Sequence, residues 1–129
     1  MTIIHKMWMQ FFLDLFLKHK FVMSDFVTVA KVGSIPEGQG ITVTVGERLV
    51  AVFNSAGQYM AIDDICPHMG ASLGAGEVYE GVVTCPWHAW RFKVCDGAWA
   101  DSPRIKIDSY DIRVVGDEIQ VASEPRPKT

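Results

Sequence analysis

The sequence predicts an all-β fold, a small antiparallel β-sandwich or barrel, on three observations. From Phe26 onward, apolar and β-branched residues alternate with a period of two, the pattern of strands that bury one face. Gly, Pro, Asn and Asp interrupt these runs at short, even intervals. What lies between the runs is too short to hold more than a trace of helix.

The elements follow in order. Phe26-Val27-Thr28-Val29-Ala30 opens the pattern. Ile41 to Val45 and Arg48 to Phe53 are separated by Gly46-Glu47, a two-residue connection that predicts a hairpin. Asn54-Ser55-Ala56-Gly57 turns the chain into Tyr59-Met60-Ala61-Ile62. Next come Val82-Val83-Thr84 and Trp90 to Cys95, the latter turning at Asp96-Gly97 into Ala98-Trp99. Ile105 to Ile107, Asp111 to Val115 and Glu118 to Val121 complete the set. Residues 123–129, which hold Pro125 and Pro127, are expected to form a disordered tail.

Residues 1–23 differ from the rest. Fifteen of them are apolar, and Lys6, Asp14, Lys18 and Lys20 give the segment a net charge of +2 within a total of −3. Its longest uncharged run, Met7 to Leu13, falls far short of the ~18 to 20 residues that span a bilayer, and no cleavage site follows. Ile4, Trp8, Phe11, Phe12, Leu15 and Phe16 recur at helical spacing. Two readings stand: an amphipathic helix on a membrane or partner, or an upstream extension without a role in a chain whose start is Met23.

With 129 residues, 49% hydrophobic and 21% charged, the chain has the size and balance of one globular domain, here residues 24–122. At well over the roughly 70 residues below which small folds lean on metals, a bound metal is expected to serve function. Interspersed charges with a negative total offer no field for phosphate backbones, which excludes nucleic acid as the expected partner. Three cysteines without framework spacing argue for a reducing, cytoplasmic setting in which thiols do chemistry.

That chemistry lies between Ile62 and Val94. Cys66-Pro67-His68-Met69-Gly70 and Cys85-Pro86-Trp87-His88 are two Cys-to-His pairs, each on a turn beside an expected strand. Two loops could therefore offer one thiolate and one imidazole each to a common point. Such a donor set admits tetrahedral zinc or an iron–sulfur centre. Zinc fingers group their cysteines together and their histidines together, whereas the interleaving here suits a dinuclear cluster with both cysteines on one iron and both histidines on the other.

Cys66-x-His68, sixteen intervening residues, then Cys85-x-x-His88 resembles the Rieske two-iron, two-sulfide signature. The likeness extends to Ile62-Asp63-Asp64-Ile65, Gly76-Glu77-Val78 and Trp90-Arg91-Phe92, and covers roughly Phe26 to Val121. It implies the Rieske iron–sulfur fold with a two-loop cluster-binding subdomain and one 2Fe-2S cluster held by Cys66, His68, Cys85 and His88. Ala71 and Trp87 stand where high-potential respiratory members carry further cysteines, and Trp90 stands where they carry a hydroxyl donor. Those departures imply the low-potential, ferredoxin-like branch. Ala89 departs from the glycine usual after the second histidine.

Among Rieske proteins the chain most resembles the small subunit of assimilatory NAD(P)H nitrite reductase. This implies a redox component without a substrate site of its own, bound to a large chain carrying flavin and sirohaem. The alternative is a Rieske ferredoxin serving a reductase and a ring-hydroxylating dioxygenase. A third reading, from a different class, is a zinc-binding or metal-free adaptor. Membrane association is not expected. Pro67, Met69, Pro86 and Trp87, with Asp63 and Asp64 as acidic neighbours, fit a small docking tip; the two aspartates otherwise read as solvated turn residues. Strand alternation places Cys95 opposite Phe92 and Val94 as a spare thiol, and His5 and His19 lack chemical context.

Overall fold

The computed structural model describes residues 25–67, 70–87 and 89–127. The expectations for residues 1–23, and those for His68, Met69 and His88, therefore lie outside the described residues.

Ten strands form three antiparallel sheets: β1 (Phe26–Lys31), β2 (Gly40–Val45), β3 (Arg48–Ser55), β4 (Gln58–Asp63), β5 (Val78–Tyr79), β6 (Val82–Thr84), β7 (Arg91–Lys93), β8 (Ser109–Tyr110), β9 (Ile112–Val115) and β10 (Glu118–Ala122). One sheet has the order β1-β10-β9, a second β2-β3-β4-β8 and a third β5-β6-β7. The described helix is a single 3-10 turn, Leu73–Ala75. Among the described residues no helix is long and apolar enough to cross a membrane.

The hairpins expected from the turns form where the turn residues predict them. Gly46 has φ +63° at the β2–β3 turn, whereas Ala56 and Gly57 at the β3–β4 turn have φ +53° and +92°, the paired positive values of a type I′ turn.

Strand β3 is the centre of the fold because both of its faces are covered. Val50, Ala51, Val52 and Phe53 are all fully buried, and successive side chains point to opposite faces. Val50 and Val52 join Val45, Ala61, Tyr110, Ile119 and Val121 in a core between the first two sheets. Ala51 and Phe53 join Ile62, Leu73, Val83, Phe92 and Val94 in a second core, beneath the third sheet. The result is a sandwich carrying a smaller β5-β6-β7 subdomain.

Three expectations need correction. Ala98-Trp99 and Ile105–Ile107 are not strands; they join their neighbours through the isolated bridges Phe92–Trp99 and Ala98–Lys106 and through single backbone hydrogen bonds such as Trp99 N–H to Ile105 C=O at 2.9 Å. Residues 123–127 are held rather than disordered: Ser123 N–H donates to Asp25 C=O at 3.0 Å and Arg126 N–H to Ser109 C=O at 2.8 Å. Proline content suggested a loose tail, but the arginine beside those prolines anchors it, its Nη2 also donating to the Cys95 carbonyl at 2.7 Å.

Candidate metal centre

Two loops leave the second and third sheets in the same way. After β4, Cys66 N–H donates to Ala71 C=O at 2.9 Å, and Gly70 N–H donates back to Cys66 C=O at 2.8 Å. After β6, Cys85 N–H donates to Trp90 C=O at 2.7 Å, and Ala89 N–H to Cys85 C=O at 3.2 Å. Each cysteine thus starts an arch that closes four and five residues later. Of the residues between these closing bonds, Pro67, Pro86 and Trp87 are described, and all three are exposed.

Both arches close through left-handed backbone, φ +80° at Gly70 and +62° at Ala89. Ala56 and Glu80 share a positive φ, but each is followed by glycine in a two-residue hairpin turn. Ala89 has no such context, so a side chain sits where glycine would be unstrained.

Cys66 and Cys85 are 0% and 1% exposed and belong to one apolar cluster with Leu73, Val83 and Phe92. All three cysteines carry thiols, none in a disulfide. The structure thus brings Cys66 and Cys85 into one buried neighbourhood and leaves Cys95 exposed, away from Phe92 and Val94 as the alternation required. His68 and His88 lie outside the described residues. No group of three or more His, Cys, Asp or Glu fit for a metal forms among the described residues alone.

The connection between the loops is tight. A Cβ on Gly76, at the end of the 3-10 turn, would collide with the carbonyl of Thr84, the residue before Cys85. Beside the second loop, Trp90 stacks on Trp99 with ring centroids 4.4 Å apart and planes 20° apart.

Asp64 is buried, and Asp63, partly exposed, has its carboxylate engaged within the fold, which corrects their reading as solvated or docking residues. Asp64 is 2% exposed. Asp63 accepts from the Tyr110 hydroxyl at 2.6 Å and from Asp108 N–H at 3.0 Å. Arg48 Nη1 donates to the Tyr110 oxygen and to Asp108 Oδ2, both at 3.0 Å. Burial, and then the bond to Asp63, push the Tyr110 hydroxyl well above its ordinary value, and the bond from Arg48 opposes them. Arg48 is held charged, chiefly by its bonds to Tyr110 and Asp108.

The surface around the loops is apolar instead. Trp87 is 65% exposed, Ile65 and Leu49 are nearly half exposed, and Pro67 and Pro86 are exposed. Glu77, Thr84, Pro86, Trp87 and Ala89 line a groove along the second loop. Sequence reasoning did not place Leu49 and Ile65 on this surface, since Leu49 reads as one residue of a strand and Ile65 as one residue of the stretch before the first loop. It missed the inward turn of Asp64 because an Asp pair beside a turn carries no signal of burial.

The Rieske [2Fe-2S] domain model matches residues 25–111. The ferredoxin component of the alkene monooxygenase system of Xanthobacter autotrophicus is 32% identical over 105 residues, covering 81% of this chain and 86% of that protein. The solved ferredoxin of carbazole 1,9a-dioxygenase from Nocardioides aromaticivorans superimposes with a TM-score of 0.70 at 32% identity, covering 77% of this chain and 98% of that one. A structure described as a putative NADH-dependent nitrite reductase small subunit from Mycobacterium tuberculosis has a TM-score of 0.70 at 26% identity, covering 81% and 96%.

Proposed function

The chain belongs to the Rieske [2Fe-2S] domain family, and on that premise we propose that it is the ferredoxin component of an oxygenase system, passing single electrons from a flavoprotein reductase to a terminal oxygenase. The coarser statement, a Rieske-type electron-transfer protein with one Rieske-type 2Fe-2S cluster, follows from the family itself.

The loops suit that group by the chemistry of their donors. Two buried thiols, neither in a disulfide, stand at matching places in two matching arches. In this proposal Cys66 and Cys85 hold one iron, and His68 and His88 hold the other. When bound, the cluster supplies a one-electron couple, which two neutral imidazoles in place of thiolates raise from about −400 mV to about −150 to +300 mV. The chain's own part is to bury the thiolate side and to present a small apolar surface, Ile65, Pro67, Pro86 and Trp87, that a partner can meet and leave.

The observation carrying the oxygenase reading is the 32% identity with a ferredoxin component over 86% of that protein's length. It reverses the order suggested by the sequence resemblance, in which the nitrite reductase small subunit came first. The nitrite reading keeps the support of the 26% identical structural neighbour, and would give the chain a large flavin- and sirohaem-bearing partner. The zinc or metal-free adaptor falls away with the family assignment.

The test is stopped-flow electron transfer with the holoprotein. Reduction by an NADH-dependent oxygenase reductase, followed by oxidation by its terminal oxygenase, is expected. No transfer in that system, with transfer to a nitrite reductase large chain, would replace this reading with the other.

A further inference from the structure

We propose that Asp64 is the positioning residue of the first ligand loop, and that its negative charge lowers the reduction potential of the cluster; this rests on the cluster assignment above. Asp64 Oδ1 accepts from Thr42 Oγ1 at 3.0 Å, Ser72 Oγ at 2.9 Å and Gly74 N–H at 2.8 Å. Its main chain is engaged as well, the N–H donating to Leu49 C=O at 3.0 Å and the carbonyl accepting from Leu73 N–H at 2.7 Å. One buried residue therefore ties β2, β3, the far end of the loop and the 3-10 turn to the base of the Cys66 arch.

Gly74 shows how closely this clamp is built. A Cβ there would lie 2.5 Å from Thr42 Oγ1 and 3.0 Å from Asp64 Oδ1, so the backbone donor reaches the carboxylate only because no side chain intervenes. With no disulfide among the cysteines, these hydrogen bonds, together with the Ile65–Ser72 bridge, tie down the base of the loop.

The charge has a second consequence. Among the described residues no salt bridge reaches Asp64, and the donors to its carboxylate, two hydroxyls and one backbone N–H, are neutral. It stands two residues before Cys66. An electron added near a buried negative charge is disfavoured, which lowers the potential.

The experiment uses the purified holoprotein at fixed pH. Asp64→Asn keeps an oxygen acceptor of the same shape and removes the charge. The expected result is an unchanged cluster spectrum and a potential raised by about 59 mV, tenfold in the one-electron equilibrium. An unchanged or lower potential with an intact cluster overturns the charge effect. Ser72→Ala removes one donor and leaves the charge in place. It should lose iron to a chelator several-fold faster than Ser102→Ala, whose hydroxyl accepts from Arg104 N–H outside the loop. Equal rates overturn the positioning role, and this arm decides it even where Asp64→Asn holds no cluster. A wild-type chain without a cluster would instead overturn the assignment on which both arms rest.

Discussion

Gly70 and Ala89 are structural equivalents: each is the fourth residue after a loop cysteine, donates its N–H to that cysteine's carbonyl, and has a positive φ, +80° and +62°. One position is occupied by the residue suited to that backbone and the other is not. Left-handed backbone costs an alanine about 1 to 2 kcal/mol, of which the greater freedom of glycine in the unfolded chain returns about 0.4 to 1 kcal/mol. Ala89→Gly is therefore expected to stabilise the protein by up to about 1 kcal/mol with its cluster retained, as read by denaturant unfolding. A loss of stability would mean that the alanine methyl makes contacts worth more than the strain.

The ligand assignment separates the cysteines. Cys85→Ser and Cys66→Ser should bleach the protein, while Cys95→Ser, at an exposed thiol outside both loops in the sequence, should leave the visible spectrum unchanged. His68→Cys should keep some cluster and lower its potential, because an anionic ligand replaces a neutral one. Loss of colour in Cys95→Ser alone would show the assignment to be wrong.

Gly76 sets the spacing of the two loops. Gly76→Ala drives a methyl into the Thr84 carbonyl, a backbone atom that cannot step aside without moving Cys85. A destabilisation of about 1 to 3 kcal/mol is expected, together with lower iron content per chain. Full iron loading in this variant would show that the second loop tolerates displacement.

Tyr110 ties stability to alkaline pH. Its hydroxyl titrates higher in the folded protein than its ordinary value of about 10, so the unfolded chain loses that proton first. Below about pH 10 the contribution is present in full, and it is lost as pH rises through the folded value. Unfolding at a series of pH values should show this decline, and Tyr110→Phe should flatten it. An equal decline in Tyr110→Phe would place the effect elsewhere.

Local patterns made much of this fold legible. The β2–β3–β4 meander could be read because Gly46-Glu47 and Ala56-Gly57 specify tight turns between alternating runs. The pairing of β1 with β10, Phe26 opposite Ala122, joins the two ends of the domain and left no local trace. Strand β8 is only Ser109–Tyr110, too short for a period, and was missed for that reason. At the site, spacing pointed to Cys66, His68, Cys85 and His88 as ligands; of these, Cys66 and Cys85 are buried in one apolar cluster, and the two histidines lie outside the described residues. The support behind them was not: Asp63 and Asp64 look alike in the sequence, yet one faces Arg48 and Tyr110 and the other faces Thr42, Ser72 and Gly74. Only the tertiary arrangement of β2 and the 3-10 turn separates their roles.

The most direct test of the central claim is iron and acid-labile sulfide analysis of the anaerobically purified protein, with the EPR spectrum of its dithionite-reduced form. Two irons and two sulfides per chain, with the low average g of a histidine-ligated cluster, are the expected result. Zinc, no metal, or the higher average g of an all-cysteine cluster would contradict it.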